Sequence, residues 1–466
     1  MTKIPVLNNK ENILSGFMAK HIRLRHSGIK LALGALLVFM VSYILGINFI
    51  IPLLLVCVLA YLKSFFSDYR LLHLTFLFVI IFAISYFIVQ EGLPVFYIPF
   101  VVIPMLAAML FEELAFSLLI TLVSSVTIAY FVGDIYTALL FLVSGLLSIV
   151  FTRGARNRVT IIRAGFAAGL AQAAAVFFID HFSVSHPHIY LMFMLNGVIS
   201  GLVVIGILPV FEYFFKTVTN ISLLEMADFG QPLLQRMMLE APGTYHHSLV
   251  VGNLSEAACQ AVGANALLAR IGAYYHDIGK LQKPEYFSEN QDIKDSKHDA
   301  LAPTMSKLVI MNHVNDGVEL AKKYRLNLRL LDFIQSHHGT SLVYYFYRRA
   351  LENREEDENV AEEGFRYEGP KPHTKETAIV LLADSVEAAT KSLKEPSHSD
   401  IEEVVHKIIN NKFIDRQLDE CDLTLKDLDK ISAVFIRILS GIYHARVTYP
   451  EKETTGSDNN HKKPAK

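Results

Sequence analysis

PGTYHHSLVVGNLSEAACQAVGANALLARIGAYYHDIGK, residues 242–280, decides how the second half of the chain is read. Pro242 and Gly243 break the chain. Thr244 is then placed to cap a helix carrying His246, His247, Leu249, Val250, Leu254 and Ala258. Asn265 is placed to cap the next, which runs through Leu267, Leu268, Ile271 and Tyr274 to His276 and Asp277, with Gly279 at its end. The period is helical, and the apolar faces end in groups that are costly to bury alone.

Working outward, the same period predicts helices over 303–313, 316–324, 328–338, 374–394, 398–412 and 425–446. No strict alternation competes, so this half is all-α. Residues 352–373 carry Glu355, Glu356, Asp357, Glu362, Glu363, Pro370 and Pro372 and read as a surface insertion. Upstream, 216–242 reads as a linker helix, with Ser222-Leu-Leu-Glu225 as a capping box and Leu233, Leu234, Met237 and Met238 as a packing stripe. The tail, 451–466, is polar and expected to be disordered.

The first half has a different composition. Hydrophobic residues make up 52% of the 466-residue chain, and the surplus lies between 29 and 215, which reads as a polytopic transmembrane helical domain after an N-terminal segment, 1–28. Each span needs roughly 20 apolar residues. Eight segments qualify, near 29–46, 47–65, 71–89, 94–111, 115–132, 135–152, 160–179 and 189–211, and a seven-span alternative merges the first two. Lys20, Arg23, Arg25 and Lys30, then Lys63 and Arg70, then Arg153, Arg156, Arg158 and Arg163 fall on one side of an eight-span path. Positive charge stays cytoplasmic, so that path puts 243–450 in the cytoplasm beneath an inner or plasma membrane. The span centres hold no ionisable residue, which argues for an anchor or sensor over a transporter. Asn196 and Gln172 are expected to bond neighbouring helices.

Formal net charge is -2, from 43 basic and 45 acidic residues, so the balance suggests no DNA or RNA partner. The three cysteines, Cys57, Cys259 and Cys421, have no paired spacing, which argues against a disulfide scaffold or a thiolate zinc site. The chemistry lies instead in an ordered set: His247, His276-Asp277, His313, His337-His338 and Asp384. Two divalent cations would use it efficiently, with Asp277 bridging, His247, His276 and Asp384 completing one position, and His313, His337 and His338 the other. Spacing alone leaves His246 open beside His247. Imidazole and carboxylate without thiolate suit manganese, iron or zinc. Such a pair activates water for attack on a phosphodiester, so no Ser or Cys nucleophile is required.

The runs Ala241-Pro-Gly-Thr-Tyr-His-His-Ser248, Tyr275-His-Asp-Ile-Gly-Lys280, Glu289-Asn-Gln291, His337-His-Gly-Thr340 and Ala383-Asp-Ser-Val-Glu-Ala388 resemble the membrane-anchored seven-span family of the HD phosphohydrolase superfamily, which contains the bacterial cyclic di-AMP phosphodiesterases. The resemblance implies an all-helical HD domain, His247 as the ligand in place of His246, a two-metal centre of manganese or iron, and hydrolysis of a cyclic dinucleotide to its linear form. It also implies Asp277 as catalytic and Lys280 as a contact to substrate phosphate. Two departures stand out. The first two spans are nearly contiguous, where the family carries an extracellular domain, and Ser296-Lys297 precedes His298-Asp299 where the family often has Asn-Pro. His337-His-Gly-Thr, with no later Gly-Tyr-Pro, favours cyclic di-AMP over cyclic di-GMP. A mononucleotide phosphohydrolase and a non-catalytic membrane receptor are the alternatives, and a homodimer is compatible with either.

Overall fold

In a computed structural model of the chain, the described residues are 36, 38, 40, 68–111, 114–179, 186–291, 297–352, 360–393 and 396–443. Among them the fold is helical, with no strand and one isolated bridge, Leu342 to Arg366. The chain divides into two compact units: Met1–Ala241 with Ile278–Gln282 and Val314–Ile334, and Pro242–Asp277 with Lys283–His313 and Gln335–Lys466.

The first unit contains α1 (Asp68–Gln90), α2 (Val102–Leu110), α3 (Leu114–Val132), α4 (Ile135–Thr152), α5 (Arg158–Ile179), α6 (Pro187–Phe215), α7 (Asn220–Met226) and α8 (Pro232–Glu240). Four of these, α3 to α6, are long and apolar enough to cross a membrane. Their packing is inverted relative to a water-soluble bundle. Ser117, Thr121, Ser124, Thr137, Ser144 and Ser148 are buried, while Leu122, Leu139, Val150, Leu170 and Leu195 are exposed. Lipid makes that arrangement favourable, because apolar side chains gain nothing by turning inward. Several of the hydroxyls are partnered within their own helices, as where Thr121 Oγ1 donates to Ser117 O at 2.6 Å and Thr152 Oγ1 to Ser148 O at 2.7 Å, whereas Ser124 Oγ has no hydrogen-bond partner among the described residues.

The expected spans 29–46 and 47–65 lie outside the described residues, apart from helical positions 36, 38 and 40. The expected span 71–89 falls within α1. The stretch 94–111 differs from expectation. It is a 3-10 turn at Val95–Tyr97, an extended Ile98, and then the nine-residue α2, all but enclosed by protein. Pro99 explains the break, since it lacks an N–H and disfavours helical geometry at Ile98. The Ile98 carbonyl accepts from Phe100 N at 2.8 Å and from Asn196 Nδ2 at 3.3 Å, and Gln172 Nε2 donates to Ser144 Oγ at 3.1 Å. Gln172 therefore joins two helices as expected, and Asn196 joins α6 to the extended Ile98.

Helices α5 and α6 meet through glycines. A Cβ on Gly169 would lie 2.8 Å from Met194 O, and one on Gly197 would overlap the Gly165 carbonyl oxygen. Beyond α6, Lys216 adopts φ 50° and turns the chain, and buried Glu212 accepts from Thr219 N and Ser222 Oγ, each at 2.7 Å. The expected linker helix is thus two helices, α7 and α8. The cap of α7 is Thr219, not Ser222, because the Ser222 hydroxyl is committed to Glu212.

The second unit is built around α9 (Pro242–Val262), α10 (Ala266–Tyr275), α14 (Lys375–Lys391), α15 (His398–Ile414) and α16 (Leu425–Tyr443). Its central helix is α14, whose run Ala378–Ala383 is fully buried. Thr374 caps it in a box with Thr377, and Ser397 caps α15 in a box with Asp400. Asn265 caps α10 as expected, accepting from Leu268 N at 3.1 Å. Thr244 does not cap α9, which begins at Pro242. Helices α11 (Pro303–Lys323) and α12 (Leu328–Ser336) each run through both units, and α13 is Tyr344–Glu352. Helix α11 is continuous where a break between 313 and 316 was expected. Its Gly317 sits where a Cβ would be 2.8 Å from Ile334 Cγ2, so that glycine serves close packing and not a turn.

Gly197→Val is expected to destabilise the α5–α6 contact by roughly 1–3 kcal/mol, the usual cost of overpacking a tight interface. Gly206→Val on the same helix, which has open space around it, should be neutral. Thermal unfolding of both variants in detergent tests this, and equal midpoints would show that the contact does not hold the bundle.

Candidate metal centre

Each chemistry-bearing side chain reaches the centre from the end or the buried face of a helix. His247 lies on the inward stripe of α9 with Val251, Leu254 and Ala258, whereas His246 points to solvent. The start of α9 is locked by Glu289 and Asn290. Thr244 N donates to Asn290 Oδ1 at 3.1 Å, Thr244 Oγ1 donates to Glu289 Oε1 at 3.1 Å, and a Cβ on Gly243 would overlap the Glu289 carbonyl oxygen. Glycine at 243 is therefore a requirement of close approach.

His276 and Asp277 follow the last turn of α10, His313 comes from α11, His337 and His338 follow α12, and Asp384 sits mid-α14. Two ring orientations are fixed locally: His276 Nδ1 donates to Ala273 O at 2.6 Å and His313 Nδ1 to Ile310 O at 2.5 Å. Both rings therefore turn Nε2 toward Asp277, at 3.2 Å for His276 and 3.3 Å for His313.

Asp277 divides its two oxygens. Oδ2 faces His276 Nε2 and, at 3.6 Å, His247 Nε2, while Oδ1 faces His313 Nε2 and, at 3.5 Å, His337 Nε2. Asp384 lies alongside, with Oδ1 3.1 Å from His247 Nε2 and Oδ2 3.5 Å from His338 Nδ1. The ligand atoms form two groups, His247–His276–Asp277–Asp384 and Asp277–His313–His337–His338, each close enough to hold one metal ion, with Asp277 common to both.

The electrostatics call for added positive charge. Burial pushes His276 down, but the Asp277 and Asp384 carboxylates outweigh it and hold the imidazole up at about 10. Burial lowers His337 to about 4, and it holds His338 well below the usual imidazole range, so both are neutral and ready to ligate. Burial opposes the charge on Asp384, yet hydrogen bonds from His247 and His276 keep its carboxyl well below the ordinary value. His313 Nε2 and His337 Nε2 are 3.1 Å apart, and both face Asp277 Oδ1. One proton cannot serve two imidazole nitrogens and a carboxylate oxygen. A cation satisfies all three, so the residues fit a metal.

All seven expected ligands converge, and His338 forms the open edge with its side chain 21% exposed. Lys280 stands half-buried on the 3-10 turn Ile278–Gln282.

Sequence reading missed the surroundings. Tyr367 stacks on His338 with ring centroids 4.3 Å apart, so part of the supposed surface insertion packs at the site. The turn after His338 is clamped: Thr340 N donates to Gln417 Oε1 at 2.8 Å, an Arg366 NH1 hydrogen goes to Thr340 O at 2.9 Å, and Lys412 Nζ donates to Ser341 Oγ at 2.7 Å. Glu387 Oε2 accepts from His247 Nδ1 at 2.6 Å. Only Glu387 had a signal, a carboxylate one helical turn beyond Asp384 on a buried stripe.

Helical spans joined to a buried histidine–aspartate centre define a membrane protein with an HD-type domain. Residues 244–389 match the HD domain family, and residues 26–219 match the family described as 7TM receptor with intracellular HD hydrolase. The chain belongs to that family of membrane-anchored HD proteins. It is 43% identical over 332 residues to the cyclic-di-AMP phosphodiesterase PgpH of Bacillus subtilis, covering 70% of this chain and 45% of the relative. It is 36% identical over 394 residues to the PgpH of Listeria monocytogenes, covering 83% of this chain and 54% of the relative. The chain thus spans about half the length of these curated relatives. The crystal structure of the L. monocytogenes PgpH HD domain in complex with cyclic-di-AMP is 45% identical, with a TM-score of 0.45, covering 46% of this chain and 99% of that one.

His247→Ala should remove bound metal while His246→Ala leaves it intact, as metal content by atomic emission after desalting will show; equal losses would mean that the wrong ring has been assigned. Metal must also displace the proton that His276 carries below about 10. Apparent Mn2+ affinity should therefore rise with pH across the neutral range, about tenfold per unit for each proton displaced. Calorimetry in buffers of different ionisation enthalpy counts those protons, and a flat profile without proton release would contradict it.

Proposed function

We propose that the chain is a membrane-bound, metal-dependent phosphodiesterase that hydrolyses cyclic di-AMP to linear pApA and so lowers the level of that second messenger. The observation that carries this reading is Asp277, one buried carboxylate with imidazoles ranged on both of its oxygens. The substrate rests on the two relatives named as cyclic-di-AMP phosphodiesterases.

In this reading His247, His276, Asp277 and Asp384 hold one divalent cation, and Asp277, His313, His337 and His338 hold a second, with manganese or iron suited to the donor set. When bound, such a pair supplies an activated water and neutralises charge developing on the attacked phosphate. The chain's own residues do the positioning. Asp277 holds its two oxygens toward separate imidazole sets, and carbonyl-bonded His276 and His313 cannot swing away from it. His338 and its stacked partner Tyr367 form the approachable edge where a nucleotide would enter. Lys280, three residues after Asp277, is assigned to the substrate phosphate on sequence likeness alone.

The HD domain is assigned to the cytoplasm. Arg153, Arg156 and Arg158 stand at the junction of α4 and α5, and Lys216 follows α6, so basic residues mark the side from which the second unit continues.

Full-length protein in detergent with Mn2+ should convert cyclic di-AMP to pApA, with cyclic di-GMP turned over at least tenfold more slowly. Chelation or Asp277→Ala should reduce turnover to background, and Mn2+ should restore only the chelated wild type. Faster hydrolysis of cyclic di-GMP would refute the substrate assignment, and no hydrolysis of either by metal-loaded protein would leave a non-catalytic receptor as the better reading.

A further inference from the structure

The run Ala383-Asp-Ser-Val-Glu-Ala388 brings two carboxylates to the centre, and the proposed chemistry uses only Asp384. Glu387 lies one turn further along α14 and is 5% exposed, as is His247. Its Oε2 meets His247 Nδ1 at 2.6 Å, while the opposite ring nitrogen of His247 points at Asp384 Oδ1, 3.1 Å away. The pairing dictates the tautomer. A neutral His247 that donates Nδ1–H to Glu387 must present its Nε2 lone pair inward, where a cation would sit.

His276 and His313 are oriented differently. Their Nδ1 partners are the neutral carbonyls of Ala273 and Ile310, each three residues back in the chain. His247 is backed by a carboxylate from another helix. That difference also separates the two candidate metal positions by charge. The group containing His247 has Asp277 and Asp384 as ligands and Glu387 behind one imidazole, whereas the group containing His313 has Asp277 as its one carboxylate, with Asp384 Oδ2 approaching only His338. A carboxylate hydrogen-bonded to a ligating imidazole raises the basicity of that ligand and holds its ring in place.

We propose that Glu387 is a positioning residue that fixes His247 for ligation and makes the His247–His276–Asp277–Asp384 position the tighter of two unequal metal positions. This rests on the two-metal reading above. It predicts sequential filling: the first cation goes beside His247 and the second beside His337.

The test is an equilibrium titration of demetallated full-length protein in detergent with Mn2+, with free Mn2+ followed by electron paramagnetic resonance. Wild type should show a tighter and a weaker class, one ion each. Glu387→Gln keeps an oxygen acceptor for His247 and removes the charge. It should weaken the tighter class roughly 10- to 100-fold and leave the weaker class within about twofold. Glu387→Asp keeps the charge on a shorter arm and should recover part of the loss, a rescue that general destabilisation would not produce. If Glu387→Gln does not fold, selective weakening of the tighter class in Glu387→Asp supports the proposal on its own. Equal weakening of both classes, or of neither, overturns it. Fewer than two Mn2+ per wild-type chain would instead sink the two-metal reading, whatever the Glu387 variants do.

Discussion

The rest of the second unit is organised around one expense, the burial of the Asp277 carboxylate at 1% exposure. An ion removed from water loses several kcal/mol even after the protein relaxes around it, and only close, well-placed partners recover that. The partners come from α9, α10, α11, α12 and α14, five elements spread over more than a hundred residues of chain. No local segment could assemble them. The fold brings two helix ends, carrying His276-Asp277 and His337-His338, against the buried faces of helices carrying His247, His313 and Asp384. The buried faces between those ends supply the apolar contacts that keep them in place.

Convergence alone would leave the centre frustrated, since imidazole nitrogens and carboxylate oxygens crowd one another. The directions of the pKa shifts express this. His276 is held protonated by its carboxylates while His337 and His338 are driven neutral by burial. The pocket is asking for positive charge in a place where protons cannot be distributed to suit every atom. A divalent cation meets that demand, and in doing so it would tie the five elements to one another, coupling metal binding to the stability of the unit.

The ligand set was legible because its residue types are expensive where they stand. A His-Asp pair closing an apolar helix, and an aspartate within Leu-Leu-Ala-Asp-Ser, demand an explanation from burial cost alone. Spacing leaves His246 and His247 open and the family resemblance favours 247; in the structure, 247 lies on the buried face with Val251, Leu254 and Ala258, and 246 is exposed. What stayed hidden depends on tertiary contact. The Arg366, Lys412 and Gln417 clamp on the turn after His338 joins residues far apart in sequence that carry no motif. The capping residue of α7 moved from Ser222 to Thr219 because Glu212, ten residues upstream, claims the Ser222 hydroxyl. The break at Ile98 could have been read from Pro99, but the length and apolarity of 94–111 argued for a span.

The two units answer the same constraint in opposite ways. In the apolar unit, polar groups are small and several are satisfied close to home: the Thr121 and Thr152 hydroxyls return to carbonyls one turn back, and Asn196 donates to the Ile98 carbonyl. The second unit gathers carboxylates and imidazoles into two groups that could each hold a metal ion. A protein that meant only to hold α9, α10 and α14 together could do so with leucine, at lower electrostatic cost. Retaining carboxylates and imidazoles there makes sense if the cost is recovered in binding a cation, for which Asp277 and its neighbours offer two groups of ligand atoms.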